Sequence, residues 1–284
     1  MSIEIRNVTK RFGDTTALDN VSVTLEGNRI YGLLGNNGAG KTTLLGIMTD
    51  RLLPTSGQVL LDGEDVRGND SALGRIFLVG EQDMFPDDMR VRRAVKVAGD
   101  FYPDFDREYA AAVAERFGLD MKKKISSLST GYASIFRLTL GLAANTPYLF
   151  FDEPVLGLDA QHRDLFYKLL MEKCAETPCT VILSTHLIAE AAKLVEHTVI
   201  IRNGHILKNA PTEELTAKAF CVSGPAGIVD AYIEGRHVLT VSTLGGLKTA
   251  CLEGEGSALP EGLERSPLNL QDYFISLMEE EDKK

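Results

Sequence analysis

Residues 35–43 read GNNGAGKTT, and this stretch decides the fold. It matches the pattern G-x-x-x-x-G-K-[ST] in full, with Gly35, Gly40, Lys41 and Thr42 at the defined positions. The apolar run RIYGLLG leads into it, and KTTLLGIMTDRL continues it with apolar residues at helical spacing. Glycines here let backbone N–H groups close around phosphates, and the helix start adds the positive end of its dipole. The sequence therefore predicts a phosphate-binding loop between a strand and a helix.

The loop also predicts roles for its polar residues. Lys41 is expected to reach the β- and γ-phosphates of a nucleoside triphosphate such as ATP, and the Thr42 hydroxyl to ligate Mg²⁺. The alternative, a glycine-rich turn before a helix, is disfavoured by the strand and helix patterns on either side. The predicted nucleotide-binding residues of the loop are Gly35, Asn36, Asn37, Gly38, Ala39, Gly40, Lys41, Thr42 and Thr43.

Two further stretches place polar residues at the ends of apolar strands. YLFFDE, residues 148–153, delivers Asp152 and Glu153 to a strand end, where ligands bind in open parallel sheets. We expect Asp152 to hold Mg²⁺ and Glu153 to polarise the attacking water, although a solvated turn could carry the same pair. His186 follows the run TVILS, and it could touch the γ-phosphate or cap the next helix.

The remaining patterns predict an α/β fold with an added C-terminal region. IEIRNV and VSVTL alternate as half-buried strands do, whereas RIFLV, YLFF and TVILS are continuous apolar runs typical of central parallel strands. HRDLFYKLLMEKCAE and HLIAEAAKLVE have helical patterns, and Asn203-Gly204 predicts a hairpin turn. After about residue 220 glycines multiply, RHVLTV and LKTACLEG predict strands, and LNLQDYFISLM predicts a final helix.

Bulk composition narrows the class of protein. The chain has 284 residues, of which 44% are hydrophobic and 25% charged, and its net charge is −10. A duplex nucleic acid requires a basic face, so this charge argues against a nucleic-acid partner. The start, MSIEIRNVTK, has no apolar signal region, and no apolar run reaches the roughly 20 residues of a membrane span. Four scattered cysteines (Cys174, Cys179, Cys221 and Cys251) are expected to be reduced thiols in the core.

In this order the motifs resemble those of ABC transporter ATP-binding subunits, over residues 1 to about 215. GNNGAGKTT matches the Walker A motif, YLFFDE matches Walker B with its catalytic glutamate Glu153, and His186 stands at the switch histidine. LGLD, residues 156–159, matches the D-loop and ends in Asp159. LSTGY lies where the family has its signature LSGGQ, so we interpret its residues as a degenerate signature: Leu128, Ser129, Thr130, Gly131 and Tyr132.

The resemblance implies an architecture and a set of partners. The fold would be a P-loop NTPase of ABC type, with a mostly parallel core sheet, an antiparallel β subdomain and a helical insert at about 86–146. A small α+β extension would occupy residues 216–284. ATP would be hydrolysed between two ATPase subunits, alike or unlike, docked on a separate membrane permease at the cytoplasmic face of the cell membrane. Export is favoured over import. Phe12, before Gly13, matches the aromatic that stacks on adenine, and a core phenylalanine is the alternative.

Several positions depart from the family pattern. Thr130 and Tyr132 replace Gly and Gln in the signature, and Leu156 replaces a small Ser in the D-loop. The Q-loop position falls on Glu81 or Gln82, and the Mg²⁺- and water-linking role is left open between them. Residues expected to act on the chain's own ATP match the family pattern, whereas several of those expected to act across an interface differ from it. This predicts a subunit that serves its own ATP better than its partner's, as in a heterodimer.

Two other classes of function stay open at this stage. One is an ABC ATPase without a membrane partner, acting in DNA repair, Fe–S assembly or on ribosomes. Such proteins usually carry coiled coils, tandem cassettes or basic surfaces, whereas this chain has one phosphate-binding loop and a negative charge. The other is a binding module in which nucleotide only holds a shape. Co-purification with membranes distinguishes a transporter subunit from the first class, and a Glu153→Gln comparison tests the second.

Overall fold

The structure is a computed structural model that describes residues 1–80, 85–254 and 258–282. The chain forms two compact units that interleave along the sequence. The first unit comprises Met1–His186 and Thr198–Asn209, and the second comprises Leu187–His197 and Ala210–Lys284. A domain boundary near residue 215 stays a prediction, since the segment Leu187–His197 groups with the later residues.

The first unit begins with an antiparallel sheet of four strands. Strands are numbered along the whole chain, and those of this sheet are β1 (Ser2–Phe12), β2 (Thr15–Glu26), β4 (Ser56–Leu61) and β5 (Glu64–Asp65). Their order across the sheet is β2-β1-β4-β5. Along β2, buried Leu18, Val21, Val23 and Leu25 alternate with exposed residues towards its end, as the period-2 pattern predicts. This sheet is the predicted antiparallel β subdomain.

The second sheet of this unit has six strands and places the phosphate-binding loop. Its strands are β3 (Ile30–Leu34), β6 (Ile76–Val79), β7 (Tyr148–Asp152), β8 (Thr180–Ser184), β9 (His197–Arg202) and β10 (His205–Pro211), in the order β10-β9-β3-β8-β7-β6. β3, β8, β7 and β6 pair in parallel. Their continuous apolar runs are buried on both faces, and so they lack the alternation seen in β2. Asn203 and Gly204, both with positive φ, form the hairpin turn between β9 and β10.

Helices connect these strands and fill the insert between β6 and β7. They are α1 (Lys41–Met48), α2 (Asp70–Leu73), α3 (Val91–Phe101), α4 (Arg107–Arg116), a 3₁₀ turn (Ile125–Ser127), α5 (Thr130–Ala143), α6 (Ala160–Glu176) and α7 (Ile188–Ala191). The helix predicted over HLIAEAAKLVE is limited to the four residues of α7, after which the chain turns. Within the described part of the chain, none of the helices combines the length and apolar character that crossing a membrane requires.

The second unit adds an α+β fold to the short helix α7. Its elements are α8 (Thr212–Ala217), β11 (Ala219–Pro225), α9 (Ala226–Ile233), β12 (Val238–Leu244), β13 (Leu247–Glu253), β14 (Glu264–Pro267) and α10 (Leu270–Glu281). The strands form an antiparallel sheet in the order β12-β13-β11-β14. Buried Phe220, Val222, Tyr232 and Leu252 form its core. Of these elements, the sequence patterns predicted β12, β13 and α10 but gave no signal for β11, α9 and β14.

One expectation about the cysteines is wrong. Cys221 and Cys251 form a disulfide, whereas all four cysteines were expected to be thiols. The two residues lie directly opposite each other on β11 and β13. The sequence separation of 30 residues gives no indication of this register, because the pairing depends on how the chain returns to β11 through α9 and β12.

A hydrogen-bonded aspartate connects the two sheets of the first unit. Asp62, in the turn after β4, accepts hydrogen bonds from the Tyr148 hydroxyl on β7 and from the Ser2 backbone N–H, both at 2.7 Å. Arg75 pairs with the same carboxylate at 2.9 Å. Burial raises the pKa of Asp62, but these hydrogen bonds, the N-terminal amine and Arg75 outweigh it and hold the pKa below its usual range. The ionised carboxylate is therefore the form that the fold stabilises.

We expect Tyr148→Phe to lower the free energy of unfolding by about 1.5–3 kcal/mol at neutral pH, because a hydrogen bond to a charged group is lost. A depressed carboxylate pKa contributes stability that is present above the unfolded-state pKa and is lost as pH falls through the folded-state pKa. The difference between the variant and the original chain should therefore shrink in acid. Urea unfolding of both chains at several pH values measures it, and a pH-independent difference would contradict the role of ionised Asp62.

Candidate functional site

The loop at residues 35–43 is held in shape by backbone contacts with its neighbours. Gly38 and Gly40 have φ of 79° and 112°, a region that residues with a Cβ rarely adopt. A Cβ on Gly40 would also lie 2.8 Å from the carbonyl oxygen of Ala17. The Gly204 N–H donates to the Ala39 carbonyl at 3.0 Å, which ties the loop to the β9–β10 turn. The loop therefore wraps closely because glycine occupies its tightest points.

Lys41 begins helix α1, and its side chain is only 6% exposed. Its ammonium donates to the carbonyl oxygens of Gly35 at 2.6 Å and Asn36 at 3.3 Å. It also lies 3.8 Å from Oε1 of Glu153, which is an ion-pair distance. The positive charge thus faces both the loop and the end of β7.

The acidic residues at the end of β7 are close to His186. Oε2 of Glu153 accepts from the backbone N–H of His186 at 3.3 Å and lies 2.7 Å from its Nδ1. Oε1 of Glu153 and Oδ1 of Asp152 are buried and have no hydrogen-bond partner. Glu153 has φ of 48°, an uncommon conformation for a residue with a long side chain. Two buried carboxylate oxygens without hydrogen-bond partners, one of them paired at 3.8 Å with a lysine, fit a site that receives a cation or a proton.

A cleft of about 590 Å³ brings the phosphate-binding loop together with the end of β7. Seven of the nine loop residues face it, as do Asp152 and Glu153, and Thr42 is exposed at its wall. Several other residues of the wall carry no local sequence signal, because their positions depend on long-range packing. The lining residues are Ala17, Asn37, Gly38, Ala39, Gly40, Lys41, Thr42, Thr43, Leu45, Gly46, Arg51, Leu52, Leu78, Gly80, Asp152 and Glu153.

Phe12 lies apart from that lining. Phe12 ends β1 and is 47% exposed, so it is not the core phenylalanine that the sequence left as an alternative. The Lys10 ammonium lies 4.8 Å from the centroid of its ring. The predicted Q-loop residues Glu81 and Gln82 lie outside the described residues.

The degenerate signature forms the start of helix α5. Ser129 is the N-cap, and its hydroxyl oxygen accepts from the Tyr132 backbone N–H at 3.4 Å. Thr130 occupies the first helical position, where φ is negative and a threonine causes no backbone strain. Tyr132 packs its ring edge against His162, with 6.3 Å between the ring centroids. The replacement of glycine by Thr130 is therefore compatible with the backbone of this segment.

The D-loop packs directly on the signature within the same chain. A Cβ on Gly131 would lie 2.9 Å from the carbonyl oxygen of Gly157. The Ser134 hydroxyl donates to the carbonyl oxygen of Leu156 at 3.1 Å. Asp159 caps helix α6 by accepting from the His162 N–H at 2.9 Å, and its other carboxylate oxygen lies 2.9 Å from Nδ1 of the same histidine. The pKa of Asp159 is lowered, mainly by the backbone hydrogen bond from His162 and next by the hydrogen bond with the His162 side chain. Leu156 itself is 47% exposed.

A glycine-framed loop between a strand and a helix, with buried carboxylates at the neighbouring strand end, defines a P-loop nucleotide-binding protein. The family model described as ABC transporter matches residues 18–156. Nod factor export ATP-binding protein I of Burkholderia lata is 33% identical over 226 residues, covering 77% of this chain and 74% of that protein. The chain belongs to the ABC transporter family and is an ATP-binding subunit that hydrolyses ATP.

Other relatives extend the similarity over the whole chain. ABC transporter ATP-binding protein YtrB of Bacillus subtilis strain 168 is 29% identical over 96% of this chain and 97% of its own length. Among solved structures, an ATP-binding subunit of an ABC transporter superposes with a TM-score of 0.69 at 19% identity, covering 76% of this chain and 92% of that one. A dimeric ATP-binding cassette in a post-hydrolysis state, bound to ADP and Pi, superposes with a TM-score of 0.65 at 24% identity. The match covers 74% of this chain and 98% of that one. These structures support the predicted fold class.

We expect Gly131→Ala to reduce ATP turnover while ATP still binds. The added methyl meets a backbone oxygen, so either the signature or the D-loop must shift, at a cost of about 1–3 kcal/mol. The matched control is Gly227→Ala in helix α9, where a Cβ meets nothing within 4 Å. Turnover and nucleotide affinity of both variants are measured beside the original chain. Unchanged turnover in Gly131→Ala would show that the close contact between the two segments has no catalytic consequence.

Proposed function

We propose that the chain binds Mg²⁺ and ATP in the 590 Å³ cleft and hydrolyses ATP there to drive a separate membrane permease. The observation that carries this proposal is the set of polar atoms around the cleft. Lys41 is a buried cation facing the loop, and the carboxylates of Asp152 and Glu153 each present a buried oxygen without a hydrogen-bond partner. Such atoms are costly unless a ligand satisfies them.

The residues present fit a magnesium ion. Thr42 offers a hydroxyl at the cleft wall and Asp152 a carboxylate oxygen without a hydrogen-bond partner, and hard oxygen ligands of this kind suit Mg²⁺. When bound there, Mg²⁺ would offset negative charge on the phosphates. Lys41 would exchange its contacts with loop carbonyls for phosphate oxygens.

Glu153 is proposed as the residue that activates water. Its two carboxylate oxygens are in different environments. Oε2 is held by the backbone N–H and Nδ1 of His186, whereas Oε1 has no hydrogen-bond partner and faces Lys41. Oε1 can therefore accept a proton from the water as the water oxygen attacks the γ-phosphorus and the bond to the β-phosphate breaks. His186 fixes the orientation of the carboxylate, and its partly exposed ring is available to a γ-phosphate.

The signature and the D-loop are proposed to act on the nucleotide of a second ATPase subunit. Ser129 keeps its hydroxyl hydrogen for donation to a phosphate oxygen, since the hydroxyl oxygen only accepts at the helix cap. The exposed Thr130 and Leu156 are larger than the family residues that they replace, which supports a partner of complementary, unlike shape. We infer a heterodimer on a permease at the cytoplasmic face of the membrane.

Export is the proposed direction of transport. The Nod factor export protein of Burkholderia lata shares 33% identity with the chain, whereas Petrobactin import ATP-binding protein YclP of Bacillus subtilis shares 29% over a similar length. The substrate itself would be selected by the permease.

The first test is ATP turnover of the purified chain across protein concentration, beside Glu153→Gln and a control, Glu115→Gln, at an exposed position of helix α4. Loss of a general base should lower turnover by about 10²- to 10⁴-fold, while the control keeps full turnover. Retained turnover in Glu153→Gln would contradict the assignment. Turnover that rises with concentration would favour a working homodimer and count against the heterodimer. ATP binding with negligible turnover at every concentration would favour an unlike partner or a requirement for the permease.

Phe12 is proposed to stack on the adenine. Phe12→Ala should then weaken ATP affinity by about 1–3 kcal/mol, the usual contribution of base stacking on an aromatic ring. Phe12→Tyr should retain affinity, because it keeps the ring, and Phe101→Ala controls for loss of an exposed phenylalanine elsewhere. Titration with a fluorescent ATP analogue measures all three variants. Equal affinity of Phe12→Ala and the original chain would remove this residue from the site.

A further inference from the structure

Two cysteines beside the end of helix α6 form a thiol pair that the ATP site does not use. Cys174 lies in the last turn of α6, and Cys179 immediately precedes β8. Their Sγ atoms are 3.8 Å apart and share a hydrogen bond. Cys179 is buried, whereas Cys174 is partly exposed. The turn that contains Thr177 and Pro178 brings these two sulfur atoms together.

A buried lysine lies next to this pair. Lys173 is 6% exposed, and its ammonium donates to Oδ1 of Asn145 and lies 5.8 Å from the ring centroid of Tyr109. Burial lowers the pKa of Lys173, while the neighbouring thiols oppose that shift. The hydrogen bond from Cys174 lowers the pKa of Cys179, burial opposes it, and Lys173 adds to the lowering. The hydrogen bond from Cys174 and the charge of Lys173 therefore favour the thiolate form of the buried Cys179.

We propose that Cys174 and Cys179 are a redox-active dithiol that low-molecular-weight disulfides oxidise to an intramolecular disulfide. A disulfide needs an S–S distance of about 2.05 Å, so the two sulfur atoms must approach each other by roughly 2 Å. Both side chains lie beside a turn, where rotation about χ1 can supply this movement. The two residues thus have the proximity, the accessible member and the activated member that such a couple requires.

The exchange proceeds in two steps. The thiolate of the accessible Cys174 attacks one sulfur of the small disulfide, forms a mixed disulfide and releases one small thiolate. The thiolate of Cys179 then attacks the Cys174 sulfur, forms the intramolecular bond and expels the second small thiolate. The protein loses two electrons and two protons, and the reagent gains them as two thiols.

This couple differs from the disulfide in the second unit. Cys221 and Cys251 are each 8% exposed, lie opposite each other on paired strands and are already joined. They provide an internal reference, because both couples can be followed in one sample. The first couple lies in the unit that carries the ATP site, and the second couple does not.

The experiment uses the full chain, first reduced completely and then equilibrated in glutathione buffers of graded oxidised-to-reduced ratio. After acid quenching and alkylation, trypsin releases residues 174–193 as one peptide that contains both Cys174 and Cys179. In reducing buffers we expect this peptide to carry two alkyl groups. As the buffer becomes oxidising, it should carry none and have a mass two hydrogen atoms below that of the free dithiol peptide. The proposal is overturned if the peptide stays doubly alkylated in buffers that fully oxidise Cys221 and Cys251.

Two serine variants test the order of the steps. Cys179→Ser should accumulate a glutathione adduct on Cys174, because the resolving thiolate is missing. Cys174→Ser should leave Cys179 unmodified in the folded chain, because the remaining sulfur is buried. An adduct on Cys179 together with an unreactive Cys174 would overturn the assigned roles.

A lysine variant tests the activation. Lys173→Met keeps an unbranched apolar chain but removes the charge, so disulfide formation should slow several-fold at neutral pH. The difference should vanish at alkaline pH, where both thiols ionise without assistance. Lys168→Met, at an exposed position of the same helix, is the matched control and should react like the original chain. In Lys173→Met the tryptic peptide begins at residue 169 and still contains both cysteines. Equal rates for both variants at every pH would exclude Lys173 from the mechanism.

Discussion

The structure of the site depends on the burial of a single ammonium group. Lys41 carries its charge into a position where 6% of its side chain is exposed, and a charge so placed must be surrounded by oxygen atoms. The loop meets this requirement by turning its carbonyls at Gly35 and Asn36 inwards. The apolar strands, the tight glycines and the convergence of β3 and β7 all serve this arrangement.

A second dependence links the signature to the D-loop. These segments are separated in sequence by strand β7, yet Gly131 and Gly157 meet at backbone distance and Ser134 holds the Leu156 carbonyl. His162 joins the same group, since it contacts both Tyr132 and Asp159. The residues that depart from the family pattern therefore belong to one packed cluster. Thr130 fits without backbone strain because it occupies the first position of helix α5, where φ is negative.

Sequence reasoning recovered the parts of the fold that local pattern determines. The continuous apolar runs gave the parallel strands, and the glycine spacing gave the loop with its lysine. Features set by long-range register were not accessible. The pairing of Cys221 with Cys251 depends on how β11 and β13 align, and the cleft positions of Ala17 and Arg51 depend on neighbouring strands and on the turn after α1. The short length of α7 was missed because apolar spacing predicts helix even where the chain turns early.

The backbone of Glu153 has a consequence for how this protein can change over time. Its left-handed φ of 48° costs about 1 kcal/mol or more relative to a glycine, which adopts that conformation freely. The same residue has one carboxylate oxygen buried without a hydrogen-bond partner. Folding alone would thus favour a different residue at this position, which is consistent with the proposed role of Glu153 in activating water. A gene copy released from selection for hydrolysis would gain stability by replacing this glutamate. Selection for stability alone would then not restore the glutamate.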